Sequence, residues 1–284
     1  MYAVTGASGQ LGRLVIDALI QKVAPGAVVA LVRDPAKAAD AAGKGAQVRR
    51  FDYSRPDTLA PALAGVERLL LISSSEVGQR AAQHQAVIDA AKAAGVKFIA
   101  YTSILHADTN PLDLAVEHRA TEEALKASGI PHAVLRNGWY TENFTAGAAP
   151  AIAHGVLLGS AGSGRTSAAA RADYAAAAVA VLAGTSVATQ VYELAGDEAF
   201  TQDELAAALA EFSGKPVVYR DLPEAEYGAA LEQAGLPGPF AHILADSSAK
   251  TAGGALFDDS HVLSRLIGRP TTPWRQTVKE AVGA

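Results

Sequence analysis

Three groups of residues in this sequence have the types and spacing to do chemistry. Gly6, Gly9 and Gly12 recur at every third position behind a short apolar run. In such a turn the first glycine permits a tight bend, the second lets a phosphate approach the backbone, and the third lets a helix pack closely on a strand. Free N–H groups and the helix dipole then face the phosphate. Ser73, Ser74 and Ser75 set three hydroxyls behind another apolar run, where they suit a ribose or phosphate, or else cap the next helix. Asn137 to Phe144 offers rings and amides. Trp139, Tyr140 and Phe144 suit the walls of a slot for flat molecules, or core packing. Asn137 and Asn143 suit an amide or a carbonyl oxygen, or the capping of turns.

These residues need elements to position them. Tyr2, Ala3 and Val4 read as a strand ending at Thr5, and Leu11, Leu14, Val15, Ala18 and Leu19 recur at helical spacing. Strand, glycine turn and helix in that order predict a nucleotide site. Ala27–Val32 is apolar at nearly every position, as a parallel strand buried on both faces requires. Arg33 follows, about twenty residues past the glycine turn, where nicotinamide enzymes place the residue that reads the ribose 2′ position. An arginine there pairs with the extra phosphate of NADP, so NADP is the expected cofactor; a solvated surface arginine is the alternative. Further strands are expected at Gln47–Phe51 and Arg68–Ile72, then one ending in polar Tyr101, Thr102 and Ser103, then His132–Arg136. Helices at Asp57–Ala64, Gln79–Ala94 and Leu114–Ser128 alternate with them. Asp52 and Tyr53 fall beside an adenine or in a structural loop. The alternation predicts an α/β fold with a doubly wound parallel sheet, a Rossmann fold.

Beyond Phe144 the texture turns rich in alanine, glycine and serine. Asp173 is placed to cap a helix to Leu182. Val191–Leu194 reads as one more strand, and Thr201-Gln-Asp-Glu204 as a capping box opening a helix through Phe212. Further helices are expected at Glu224–Ala234 and Asp258–Leu266. The expected domains are a nucleotide-binding domain over 1–150, to which 171–196 return, and a smaller, mostly helical lobe of 151–170 and 197–284 that closes over the strand ends.

Composition bounds the partners. Half of the 284 residues are hydrophobic and 19% are charged, enough for a sizeable core. A formal net charge of -5 argues against a nucleic-acid backbone as partner. The absence of cysteine removes disulfides and thiolate chemistry, and the seven histidines lack metal-ligand spacing, so no metal site is expected. With no room for a leader before the first strand and no apolar run long enough to span a bilayer, a cytoplasmic protein without membrane insertion is expected. Gly162-Ser-Gly-Arg165 and Lys250 suit a phosphate or substrate, or are solvated loop charges, the default reading.

Val4–Gly12 resembles the opening of the extended and atypical short-chain dehydrogenase/reductases. Leu71–Arg80, Phe98–Ser103 and Leu135–Asn143 narrow the likeness to the NADPH-dependent quinone oxidoreductase 2 type within the NmrA-like branch. Phe257–Ser260, Leu266–Gly268 and Pro270–Thr272 are also similar. The resemblance implies reduction of quinones by NADPH without flavin. It also implies cofactor contacts from Gly6, Ser8, Gly9, Gln10, Leu11, Gly12, Arg33, Ser73, Ser74, Ser75, Asn137, Trp139, Tyr140 and Asn143. A homodimer is left open.

Main-line members of that family reduce carbonyls with a tyrosine proton donor and a lysine four residues later. Ser103 matches the serine that precedes this pair, but His118 and Glu122 stand where tyrosine and lysine are expected. A nearby carboxylate would favour a protonated imidazole, so the alcohol-dehydrogenase mechanism does not carry over. Tyr140, Asn143 and His118 are the catalytic candidates, His118 as proton donor or as a structural surface histidine. A quinone tolerates the loss, because its product is a stabilised hydroquinone anion and alignment of two flat rings supplies much of the rate. The alternative is an NmrA-like redox sensor that binds NADP(H) and contacts a regulatory protein.

Overall fold

The structure, a computed structural model, describes residues 1–283. Strands and helices alternate through β1 (Tyr2–Val4), α1 (Gln10–Leu19), β2 (Val28–Val32), α2 (Ala39–Gly43), β3 (Gln47–Arg50), α3 (Leu59–Ala62) and β4 (Arg68–Leu71). They continue with α4 (Arg80–Ala93), β5 (Phe98–Ile104), α5 (Asp113–Ser128) and β6 (His132–Asn137). Next come α6 (Thr141–Thr145), α7 (Ala148–His154), β7 (Val156–Gly159), α8 (Arg171–Leu182), β8 (Gln190–Leu194) and α9 (Gln202–Ser213). The last elements are β9 (Val218–Asp221), α10 (Glu224–Gln233), α11 (Gly238–Thr251), α12 (Val262–Ile267) and α13 (Trp274–Val282). No helix among the described residues is long and apolar enough to cross a membrane.

Seven strands form one sheet in the order β3-β2-β1-β4-β5-β6-β8. The pairs from β3 through β6 are all parallel. The order reverses at β1, between β2 and β4, which is the switch point where doubly wound sheets bind ligands. This is the Rossmann arrangement expected from the sequence. β2, β5 and β6 are buried at every position; the unbroken apolar run of β2 follows from coverage on both faces, whereas β5 and β6 also bury polar residues such as Ser103 and Arg136. Edge strand β3 instead carries Gln47, Arg49 and Arg50, which blunts an open edge.

The chain forms two compact units. The first comprises 1–107, 116–137 and 172–192; the second comprises 108–115, 138–171 and the residues from 193 onward. In the first, Leu31, Leu69, Leu71 and Ile99 of the strands pack with Leu59, Val87, Ile88 and Leu125 of the helices. In the second, Phe200, Leu205 and Leu209 pack with Trp274 and Val278. The first unit's second stretch ends at Asn137. Beyond it the Gly138 N–H donates to Leu194 O (2.7 Å) and the Thr141 N–H to Ala169 O (2.9 Å), bonds that belong to the second unit. Ala284, the expected end of the lobe, lies outside the described residues.

Several local expectations need correction. The strand expected to end in Tyr101, Thr102 and Ser103 runs one residue further, to Ile104, and buries all three. Leu14 is exposed on α1, and Ile16 takes its place on the buried face. Asp173 lies inside the first turn of α8, which begins at Arg171, rather than ahead of the helix; the Glu142 carboxylate accepts the Arg171 N–H at 3.0 Å. The Asp258–Leu266 helix begins only at Val262, because His261 adopts φ +54° and the Asp258 carboxylate accepts the Ser260 N–H, forming a turn. The capping box at Thr201 and Glu204 forms as expected. Helices α7, α11 and α13 and strand β9, which pairs in parallel with β7, are not expected from the sequence.

Candidate functional site

The glycine turn is built as a cradle. Thr5, buried at the end of β1, fixes its base: its Oγ1 accepts the Ile72 N–H (2.8 Å) and the Tyr53 hydroxyl (2.6 Å). Gly6 bends the chain at φ +58°, and the Gly9 N–H closes the bend on Gly6 O at 2.9 Å. A Cβ on Gly12 would lie 2.2 Å from Gly6 O and 2.7 Å from Ala7 Cα, so α1 approaches the turn as closely as only glycine allows. A Cβ on Gly9 would lie 3.1 Å from Gly6 O. No side chain caps the N-terminus of α1. Its first-turn N–H groups are the donors that an anion at a helix start uses. The cradle therefore fits a dinucleotide's pyrophosphate. Tyr53 braces β1 against β4, donating to Thr5 Oγ1 and Ile72 O, and burial raises its pKa well above the phenol range.

Arg33 follows β2 and is 70% exposed, with its Nη1 3.0 Å from Glu76 Oε1. Among the three serines, Ser74 is buried and its hydroxyl donates to Gln83 Oε1 at 2.6 Å. Ser73 is half-buried and its N–H donates to Thr102 Oγ1, while Ser75 is exposed. Hydroxyls at 73 and 75 thus stay nearer solvent, whereas Ser74 organises the loop.

The α5 side of the sheet is arranged differently. Ser103 Oγ donates to Glu122 Oε1 at 2.5 Å, and Arg136 donates to the same carboxylate through Nε (3.1 Å) and Nη2 (2.7 Å). Tyr101 Oη and His118 Nδ1 are 2.7 Å apart, both residues buried. Burial, and then the positive charge of Arg80, hold His118 well below the ordinary histidine pKa. Two expectations change. His118 is neither a surface residue nor charged by Glu122, whose carboxylate is engaged by Ser103 and Arg136. His84 behaves likewise: it is fully buried, and burial followed by the Arg80 charge lowers its pKa to about 3.

Asn137 ends β6, and its buried Oδ1 has no hydrogen-bond partner. Such an orphan acceptor at a strand's carboxyl end suits a ligand amide. The residues after it belong to the second unit. Arg171 lies 4.6 Å over the Tyr140 ring and reaches Asn143 Oδ1 at 3.4 Å. Phe144 stacks edge-on to Phe200 at 5.3 Å, and Trp139 packs against the same cluster, so Phe144 is core packing rather than a slot wall. Lys250 is not a loose loop charge: it pairs with Asp246 and Asp113. Arg165 likewise bonds Ala199 O and faces Glu204. Among the described residues no cluster of histidines or carboxylates could hold a metal. Glu76 and Gln83 escaped the sequence reading; no spacing rule ties them to an arginine so far upstream.

A doubly wound sheet with a side-chain-free phosphate cradle at its switch point and an arginine at the end of β2 defines a nicotinamide-dinucleotide-binding protein. The chain belongs to the NAD(P)H-binding family, whose model matches residues 6–185. It is 56% identical to quinone oxidoreductase 2 of Escherichia coli (strain K12), over 98% of this chain and 97% of that one. The crystal structure of an NADPH-dependent quinone oxidoreductase from E. coli complexed with NADPH superposes with a TM-score of 0.96, covering 99% of each chain. The Citrobacter sp. triphenylmethane reductase complexed with NADP(H) matches at 40% identity and TM-score 0.95, covering 99% of this chain and 100% of that one. The resemblance drawn from the sequence motifs thus extends over almost the whole chain.

Proposed function

We propose that this protein is an NADPH-dependent quinone reductase. The observation that carries the reading is 56% identity to a quinone oxidoreductase over nearly the full length, in a chain whose glycine turn has the close approach that only glycine allows. The backbone of Gly6, Ser8, Gly9, Gln10, Leu11 and Gly12 would hold the pyrophosphate, and Arg33 the ribose 2′-phosphate. Ser73 and Ser75 would meet a ribose, and the orphan Oδ1 of Asn137 the carboxamide. We extend the proposal to Trp139, Tyr140 and Asn143, in the segment that continues from Asn137. NADPH, when bound, supplies the reducing electrons from its nicotinamide ring.

The chain's own contribution is binding and orientation. Ser103 spends its hydroxyl on Glu122, and His118 is buried and neutral, so neither is set up as a proton donor. A quinone does not require one, because the reduced ring is a stabilised anion that water protonates. Alignment of two planar rings then supplies the rate. The test is oxidation of NADPH by the purified protein, followed by loss of reduced-nicotinamide absorbance, with and without a soluble benzoquinone and with NADH in parallel. Quinone-dependent oxidation, weaker with NADH, is expected. Tight NADPH binding with no turnover on several quinones overturns the reading in favour of a redox sensor.

A further inference from the structure

The ion pair between Arg33 and Glu76 occupies an unusual place. Arg33 follows β2 and Glu76 lies in the loop between β4 and α4, and in the sheet these strands flank β1. The pair therefore crosses the carboxyl end of β1, where the glycine cradle begins. Its two members are not equally free. Glu76 is anchored: its Oε2 accepts from Gln83 Nε2 at 2.7 Å and its N–H donates to Ser74 Oγ at 3.2 Å. Gln83 is itself buried and accepts from Ser74 Oγ, while Arg80 Nε donates to Ser74 O at 2.8 Å. Arg33 is a mostly exposed, flexible side chain. The neighbouring Asp34 carboxylate is used on the Ala36 N–H.

We propose that Glu76 is a built-in competitor for the 2′-phosphate at Arg33, setting both the affinity for NADP(H) and the preference over NAD(H). The inference rests on the reading of Arg33 given above. A 2′-phosphate at Arg33 has to share a guanidinium with a carboxylate already fixed beside it, and the two anions repel. The 2′-hydroxyl of NAD is neutral and meets no such penalty. Glu76 thus loosens the phosphorylated cofactor selectively, which favours its exchange after each turnover.

The experiment is a set of fluorescence titrations with NADPH and NADH on the unaltered protein, Glu76→Gln, Glu76→Ala, Arg33→Ala and Arg33→Ala/Glu76→Gln. Exposed ion pairs are weak, so both neutral variants at position 76 are expected to bind NADPH about threefold tighter, with a smaller change for NADH. The gain is expected to shrink at high salt and to vanish when Arg33 is alanine. Unchanged or weaker NADPH binding in both neutral variants overturns the proposal. So does an equal gain in the Arg33→Ala background, which would reveal a general charge effect. If Arg33→Ala weakens NADPH no more than NADH, the reading of Arg33 falls and this inference with it, whatever the quinone assay shows.

Discussion

Two sides of the same sheet in the first unit treat polar groups in opposite ways. Around β1, β2 and β4 the chain withholds side chains: Gly6, Gly9 and Gly12 expose backbone, and the start of α1 carries no cap. Between β5, β6 and α5 it does the reverse. Ser103, Glu122 and Arg136 satisfy one another, and Tyr101 closes on His118. One side leaves backbone donors open to a ligand; on the other these side chains bond one another, and the orphan Oδ1 of Asn137 at the tip of β6 is the exception. The resemblance puts Glu122 where a dehydrogenase carries its lysine, and in this chain Glu122 clamps a buried arginine. The contrast teaches that this chain keeps the glycine cradle open and builds the other side as a brace.

The hardest test of that contrast is removal of the brace. Glu122→Ala takes the bidentate carboxylate away from the buried Arg136 guanidinium, and is expected to cost about 3–5 kcal/mol of stability. Denaturant unfolding measures it. A loss under about 1 kcal/mol would show that the corner is not structural. On the open side, Gly12→Ala forces a Cβ into Gly6 O. It is expected to cost about 1–3 kcal/mol and to weaken NADPH binding at least about tenfold. Normal binding by this variant would mean that the cradle tolerates side chains and is not shaped for phosphate. Arg33→Ala removes one charge-assisted contact, so NADPH affinity is expected to fall about tenfold to a hundredfold while NADH changes by less than about twofold. Equal losses for both cofactors would detach Arg33 from the 2′ position.

The same contrast explains what the sequence made legible. The glycine spacing, the buried apolar runs of β2 and β4, and the Thr201–Glu204 capping box are local patterns with local causes, and they form where expected. The brace and the Arg33–Glu76 ion pair are not local. Arg136 meets Glu122 across helix and strand, and Arg33 meets Glu76 only because β2 and β4 flank β1. In the second unit the cues conflict. Helix α11 opens with Gly238 and Pro239 and buries Asp246, Ser247 and Thr251, so its periodicity is masked by polar residues with buried partners. Asp246 is buried because its carboxylate accepts the Asp113 N–H and pairs with Lys250, a contact between distant stretches of chain. His261 breaks the Asp258–Leu266 pattern through a backbone angle that no apolar count reveals.

The smallest effect concerns pH and sharpens the account of the closed side. The Ser74 N–H donates to His84 Nε2 at 2.9 Å, so that nitrogen is the acceptor and the ring's proton sits on Nδ1, facing Thr121 Oγ1 at 2.9 Å. Protonating Nε2 would set two N–H groups against each other in a fully buried place. With a folded pKa near 3 against 6.5 for a free histidine, the unfolded chain binds the proton first as pH falls. The neutral ring's contribution is therefore fully present above about pH 6.5 and is lost progressively as pH drops toward 3. One unit below 6.5 the loss is about 1.4 kcal/mol for this histidine, and His118, depressed for the same reasons, adds to it. Unfolding free energy measured between neutral and mildly acid pH should fall more steeply in the unaltered protein than in His84→Gln, which has no such proton to gain. Parallel slopes would show that His84 titrates normally, and that the closed side admits water after all.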